Sequence, residues 1–347
     1  MHNIAVAGHI CLDITPRLDA PAETLPGSLT EIGPLSISLG GSVANTGACL
    51  QSLGARVVPI ADIGDDGLGS LLLSKLTDAG LDSSLVDTRA NSSTSYSLVI
   101  ENPGSDRAFW HHTGANASYN GSHSIPEGLD LFHLGYPPLL GALLENDGAP
   151  LKSLLARARA TGAVTSVDLA VLDPSSAAAA LDWCAILAAM ASESDIVNPS
   201  LDDLTSALRM DEEFSVDLID RLAYWLLDEG AAVVAISAGK HGLYLRTADR
   251  GRLARAGHSL AAVADEWAGA RLHVPPVPAG SALTTNGAGD AMSAGLAFAV
   301  AAGAGPEDAA LLASACSAAI MSGRGPSPAT LLTLAPTLSP LFDLEVA

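Results

Sequence analysis

Near the C-terminus, Thr284-Thr285-Asn286-Gly287-Ala288-Gly289-Asp290 joins an anion-binding element to a proton acceptor. Small residues continue through Gly295, so the glycine-rich turn is read as opening a helix. The first N–H groups of a helix have no partner within it, and the peptide dipoles place partial positive charge at that end. Gly287, Ala288 and Gly289 therefore offer N–H groups to an anion such as a phosphate. Asp290 falls just inside the helix, beside that pocket. Its carboxylate would repel a phosphate, so the chemistry open to it is removal of a proton from an attacking hydroxyl. A first-turn Asp that only serves the helix dipole is the alternative use of this residue.

Such a turn needs a frame. Short apolar runs that end in glycine or a polar residue recur at 4–8, 57–61, 131–134, 164–167, 195–197 and 233–236. Helical patterns lie between them, at 43–53, 67–79, 150–161, 175–189, 201–208 and 216–229. Strands that alternate with helices predict a parallel sheet covered on both faces. Polar residues just past the strand ends then line the ligand crevice. Two segments interrupt the alternation. Residues 14–39 are rich in Pro, Gly and Thr, and residues 94–112 read as a hairpin around a five-residue turn at 102–106. Together they predict a small antiparallel sheet beside the main one. Residues 246–271 read as a loop-like insertion rich in Arg and Ala.

The chain has 347 residues, 48% of them hydrophobic and only 16% charged, which excludes a disordered chain. With 3 Lys and 14 Arg the net charge is −21, which disfavours nucleic acid and anionic membranes as partners. An anionic nucleotide stays admissible, because local N–H groups and Mg²⁺ override the global field. Cys11, Cys49, Cys184 and Cys316 form no Cys-x-x-Cys pair and read as reduced, mostly core thiols of a cytoplasmic protein. Residues 1–8 lack the pattern of a signal peptide, and the apolar stretch 291–303 is too short to span a bilayer.

Taken together, these motifs resemble the ribokinase/PfkB family of ATP-dependent carbohydrate and nucleoside kinases. Gly287-Ala288-Gly289-Asp290 with Ala294-Gly295 is similar to that family's C-terminal signature. Gly40-Gly41-Ser42-Val43-Ala44-Asn45-Thr46-Gly47, Leu53-Gly54 and Gly64-Asp65-Asp66-Gly67-Leu68-Gly69 are similar to its N-terminal signature. The resemblance implies a ribokinase-like three-layer α/β/α fold with a mostly parallel sheet and a small antiparallel β lid. It implies one domain over 1–347, a lid at about 14–39 and 92–113, and a catalytic and nucleotide half at about 190–347. Asp290 becomes the catalytic base, and Gly287, Ala288 and Gly289 the anion hole for the γ-phosphate. Asp13, Gly40, Gly41 and Asn45 become sugar-binding positions, since a carboxylate and an amide hold vicinal hydroxyls and glycine lets backbone approach the ligand. Arg107, in Asp106-Arg107-Ala108-Phe109-Trp110, reaches substrate or phosphate from the lid, or is simply solvated there. Asn198, Ser237, Gly239, Gly242, Asn286 and Ser314 fall on the nucleotide side.

Two positions depart from the family pattern. In its Asn-x-x-Glu motif the acid organises Mg²⁺, whereas here Asn198 is followed by Leu201, with Asp202 and Asp203 next. The acid is either shifted by a small insertion or replaced by Asp202, so the metal residues stay unassigned. Thr284 stands where the family usually has an Asp that helps bind a monovalent cation, which leaves K⁺ activation open. The expected reaction is ATP·Mg²⁺-dependent phosphorylation of a primary hydroxyl of a small sugar, with a homodimer formed through the lid. A nucleoside kinase and a non-catalytic sugar or nucleotide sensor are the alternatives. A nicotinamide-dependent oxidoreductase is disfavoured, because Gly8-His9-Ile10-Cys11-Leu12-Asp13 lacks the Gly-x-Gly-x-x-Gly turn after the first strand.

Overall fold

The computed structural model describes residues 1–21, 25–102, 107–278, 280 and 284–342. In β1 (Asn3–Gly8), Ile4 and Val6 enter one hydrophobic cluster while Ala5 and Ala7 enter another. Successive side chains of a strand face opposite ways, so β1 must lie in a sheet buried on both faces. The other strands are β2 (Cys11–Pro16), β3 (Leu35–Gly40), β4 (Arg56–Gly64), β5 (Leu85–Arg89), β6 (Tyr96–Ile100) and β7 (Ala108–His112). They continue with β8 (Leu131–Gly135), β9 (Val164–Val167), β10 (Ile196–Val197), β11 (Val233–Ser237), β12 (Leu243–Thr247) and β13 (Arg271–Val274). The main sheet runs β13-β12-β11-β10-β9-β8-β1-β4-β5. It is parallel from β11 to β5, with β12 and β13 antiparallel at one edge.

Helices Ser42–Ser52, Ala288–Ala301 and Pro306–Met321 cover one face, and Glu145–Ala160, Trp183–Ala191 and Val216–Asp228 cover the other. This is the three-layer α/β arrangement that the alternation implied. Ala288–Ala301 and Pro306–Met321 are alanine-rich and pack closely. A Cβ on Gly295 would lie only 2.9 Å from Ala313 Cα, so that contact admits no side chain. None of the described helices is long and apolar enough to cross a membrane.

Three expectations need correction. Helix 175–189 starts only at Trp183, capped by Asp182, and residues 177–180 form a 3₁₀ turn. Residues 246–271 are not a loop. They close β12, form three short helices (Arg250–Leu253, His258–Ala262 and Ala264–Trp267) and lead into β13. Leu253, Leu260 and Trp267 recur seven apart and are fully buried; their period was present, but each helix is too short for it to stand out.

The small sheet runs β3-β2-β6-β7. It is mixed rather than antiparallel, because β2 pairs parallel with β6. Most of the expected turn, residues 103–106, lies outside the described residues. His111 and His112 face opposite ways, His111 toward Ser97 and His112 toward Ser93, as alternation in a strand requires.

Two devices join this sheet to the main body. Asp66 caps helix Gly67–Asp78 through Gly69 N–H at 2.8 Å and also accepts from Thr94 N–H at 2.8 Å and Thr94 Oγ1 at 2.7 Å. Gly41, with φ at 83°, turns the chain from β3 into helix Ser42–Ser52. A Cβ there would stand 2.6 Å from His9 Nδ1 and 2.7 Å from His9 O. Gly41→Ala combines left-handed strain with overpacking and is expected to destabilise the fold by about 1–3 kcal/mol or more. Urea unfolding of the two proteins checks this; an unchanged midpoint would show that the junction relaxes freely.

Candidate active site

Asp290 sits in the first turn of helix Ala288–Ala301, at 5% exposure. Gly287 precedes it in the left-handed region, with φ at 74°, and the helix carries no side-chain cap. The Ala288 N–H turns to Thr285 O at 3.2 Å, so that member of the expected anion hole is already engaged. Three donors from distant elements converge on the carboxylate. Tyr136, just past β8, donates to Oδ1 at 2.6 Å, and Thr46 Oγ1 donates to the same oxygen at 3.1 Å. Asn45 Nδ2 donates to Oδ2 at 3.0 Å. Burial raises the Asp290 pKa above the ordinary carboxylate value, and the bonds from Tyr136, Asn45 and Thr46 oppose that rise. Burial, with Asp290 and Asp168 nearby, pushes the Tyr136 phenol well up, so Tyr136 is a donor. Among the described residues Oδ2 accepts only from Asn45, which leaves that oxygen able to receive another hydroxyl proton.

The acceptor-side candidates gather around this carboxylate. Asp13, in β2, is buried, and burial raises its pKa. Gly40 passes so close that a Cβ would lie 2.6 Å from the Asp13 carboxylate. Arg107 lies over the Phe109 ring at 5.4 Å, and its charge tends to lower the Asp13 pKa. Asn286, expected on the nucleotide side, points its Nδ2 at Asp13 Oδ2, 3.5 Å away. Thr284 Oγ1 accepts from the Asn286 N–H at 3.1 Å. Motif spacing did not single out His9 and His111. Their Nε2 atoms lie 3.3 Å apart, His111 Nδ1 reaches Ser97 Oγ at 3.1 Å, and the His9 ring leans on Tyr136. Burial lowers both pKa values, that of His111 to about 4, so both rings are neutral at pH 7.

A buried polar chain leads away from Asp290. His133 Nδ1 lies 3.0 Å from Ser166 Oγ, and Ser166 donates to Asn198 Oδ1 at 3.2 Å. Asn198 Nδ2 donates to Ser293 Oγ, which donates to Asp168 Oδ2 at 2.9 Å. Asn198 is thus fixed at both ends of its amide. Burial, with Asp203 and Asp290 nearby, pushes the Asp168 pKa well above the ordinary range. Burial raises Asp203 to about 6, although it also forms a capping box with Ser200. Asp202 is exposed and Leu201 is buried in the core. Of the two acids after Leu201, Asp203 is the buried one and lies near enough to Asp168 to raise its pKa.

Ser237, Gly239 and Gly242 form the turn between β11 and β12. Ser237 and Gly239 border a cavity of about 340 Å³ that also touches Ser200, Leu201 and the stacked rings of Phe214 and His241. Ser314 Oγ is buried in helix Pro306–Met321 with no hydrogen-bond partner among the described residues.

The pfkB family carbohydrate kinase model matches residues 1–332. No curated protein matches the sequence. Among solved structures, the chain is similar to an Arabidopsis thaliana ribokinase complexed with ribose and ATP, at 18% identity and TM-score 0.72, covering 96% of this chain and 99% of that one. It is similar to a Methanocaldococcus jannaschii nucleoside kinase at 16% identity and TM-score 0.71, covering 97% and 99%. It is also similar to Escherichia coli phosphofructokinase-2 in complex with potassium, at 17% identity and TM-score 0.70, covering 97% and 99%.

Tyr136→Phe removes one of the bonds that oppose the upward pull of burial on Asp290. The Asp290 pKa is expected to rise further, read from the ¹³C shift of its carboxyl carbon across a pH titration. A midpoint that stays put or falls would mean that the phenol does not stabilise the anion.

Proposed function

Because the chain belongs to the PfkB family of carbohydrate kinases, we propose that it transfers the γ-phosphoryl group of ATP to a primary hydroxyl of a small sugar. One observation carries this reading: a buried carboxylate, Asp290, lies at the open N-terminus of a helix with Asp13 and Asn286 nearby. In this reading Asp290 Oδ2 takes the hydroxyl proton. Asp13, Asn45 and Asn286 hold the neighbouring hydroxyls, and Gly40 and Gly41 let backbone come close. The N–H groups of Gly287, Ala288 and Gly289, with the helix dipole, receive the γ-phosphate. The Ala288 N–H leaves Thr285 to do so.

The nucleotide lies toward Ser237, Gly239 and Gly242, with the buried Ser314 hydroxyl as a candidate contact. Asp168, Asp203 and Asp290 place three carboxylates near one another in a buried region, with raised pKa values on each. That is an environment a divalent cation suits. Asp168 and Asp203 would hold Mg²⁺, directly or through water, with Asn198 fixing their surroundings. When bound, Mg²⁺ neutralises charge on the β- and γ-phosphates.

The sheet β3-β2-β6-β7 serves as a lid in this reading. Closing it over the acceptor excludes water, which would otherwise compete for the phosphoryl group. Its outer surface exposes Leu35 and Trp110. We take this face as a homodimer contact, so sedimentation is expected to show a dimer that Trp110→Glu splits; a monomer in both would remove the contact from the account. Cys11, Cys49, Cys184 and Cys316 are all free, which fits a cytoplasmic location.

A small sugar is favoured over a nucleoside because the groups gathered around Asp290 and Asp13 are mainly polar. The rings of His9, His111 and Tyr136 favour the second reading, a nucleoside kinase, since they provide surfaces for stacking a base. An ATP-consumption screen over pentoses, hexoses, sugar acids and nucleosides, with and without K⁺, separates the two. Turnover on sugars supports the first reading, and turnover on nucleosides alone overturns it. With the best acceptor, Asp290→Asn is expected to keep ATP binding and lose about 10²–10⁴-fold in kcat; near-normal turnover would remove Asp290 as the base.

A further inference from the structure

A second cluster lies away from Asp290, at the β4–β5 edge of the main sheet. Asp62 on β4 stands directly opposite Asp87 on β5. Like charges at directly opposed positions of neighbouring strands repel, and Asp62 is only 1% exposed. His123 comes over both from the segment that follows β7. Its Nε2 lies 3.0 Å from Asp62 Oδ1 and 3.3 Å from Asp87 Oδ2. One ligand atom from each residue falls within 4.8 Å of the others.

These approaches are close without being hydrogen bonds. Among the described residues, neither His123 ring nitrogen has a hydrogen-bond partner, and the cation held at Asp62 Oδ1 is Arg89, whose Nη2 lies 2.9 Å away. The carboxylates therefore stand off the axis along which Nε2 would point a proton or a lone pair. Ligands around a shared ion have that arrangement, because each aims at the ion and not at its neighbours.

The frame is built as well. Arg157 donates to the backbone oxygens of Gly121 at 2.7 Å and His123 at 2.6 Å, which fixes the loop. The His123 ring stacks on buried Tyr119, with centroids 5.1 Å apart. The Tyr119 hydroxyl is itself buried without a hydrogen-bond partner.

We propose that Asp62, Asp87 and His123 form a binding site for one divalent transition-metal ion. Two carboxylates and one imidazole suit Zn²⁺, Mn²⁺ or Co²⁺ better than Mg²⁺ or Ca²⁺, which prefer all-oxygen sets. Arg89 is the competing cation. Its Nη2 lies 2.9 Å from Asp62 Oδ1 and 3.5 Å from Asp87 Oδ2. Its side chain is 37% exposed and can swing into solvent when the ion enters. The ion ties the segment after β7 to the sheet edge. It is independent of the nucleotide.

The test uses Co²⁺ as the only added metal on the full-length, nucleotide-free protein. A single Co²⁺ is expected to bind, with a visible absorption band and a raised Tm. Asp87→Asn and His123→Gln are each expected to weaken binding at least about 10-fold, whereas Asp168→Asn leaves it unchanged. Asp87 is exposed, so its substitution does not threaten folding, and circular dichroism verifies both variants. Three outcomes overturn the proposal: no stoichiometric Co²⁺ binding up to about millimolar metal, binding that survives both substitutions, or binding lost in Asp168→Asn.

Discussion

The structure turns on the burial of the Asp290 carboxylate. An ionised carboxyl group removed from water is costly unless donors surround it. Here they come from separate parts of the chain: Asn45 and Thr46 from helix Ser42–Ser52, and Tyr136 from the end of β8. Helix Ala288–Ala301 must therefore lie against helix Ser42–Ser52. Gly287 is placed so that even a Cβ there would lie 4.0 Å from Asn45 Nδ2. The burial also leaves Asp290 a stronger base than a solvated carboxylate, and the same donors oppose that rise.

Asp290 is the meeting point of two polar regions with different organisation. On one side, neutral His9 and His111 stand beside Asp13 and Asn286, and several polar atoms there face one another at the long end of hydrogen-bond distance. On the other side, the chain through Ser166, Asn198, Ser293 and Asp168 is closely bonded. Its acidic end, shared with Asp203, lacks a cation among the protein groups that contact it. In the proposed reading the first region receives hydroxyls and the second receives positive charge.

Strands β1, β4, β8, β9, β10 and β11 were readable because each contains a short apolar run ending in a glycine or polar residue, whereas β5 is half exposed and carries no such run. The glycine turn before Asp290 was readable because its residue types allow little else. Tyr136 was not legible as a donor to Asp290, since its place depends on β8 lying next to β1, a pairing between strands far apart in sequence. Thr46 went unread because its partner lies more than two hundred residues away, and nothing local marks a threonine as a donor to a carboxylate. The approach of Asn286 to Asp13 was not legible, because sequence order does not tell which way a turn residue points. Asp203 was hidden by Leu201, whose burial rotates the helix so that the next acid faces solvent and the one after faces Asp168. The pairing of Asp62 with Asp87 is a matter of strand register, which neither strand shows alone.

The central claim is that Asp290 meets the acceptor hydroxyl while the helix N-terminus meets the γ-phosphate. A crystal structure with a non-hydrolysable ATP analogue and the best acceptor tests it most directly. The account predicts an acceptor hydroxyl within hydrogen-bond distance of Asp290 Oδ2, in line with a γ-phosphate held by the N–H groups of Gly287 to Gly289. A γ-phosphate bound elsewhere, or an acceptor whose hydroxyls all lie beyond reach of Asp290, would contradict it.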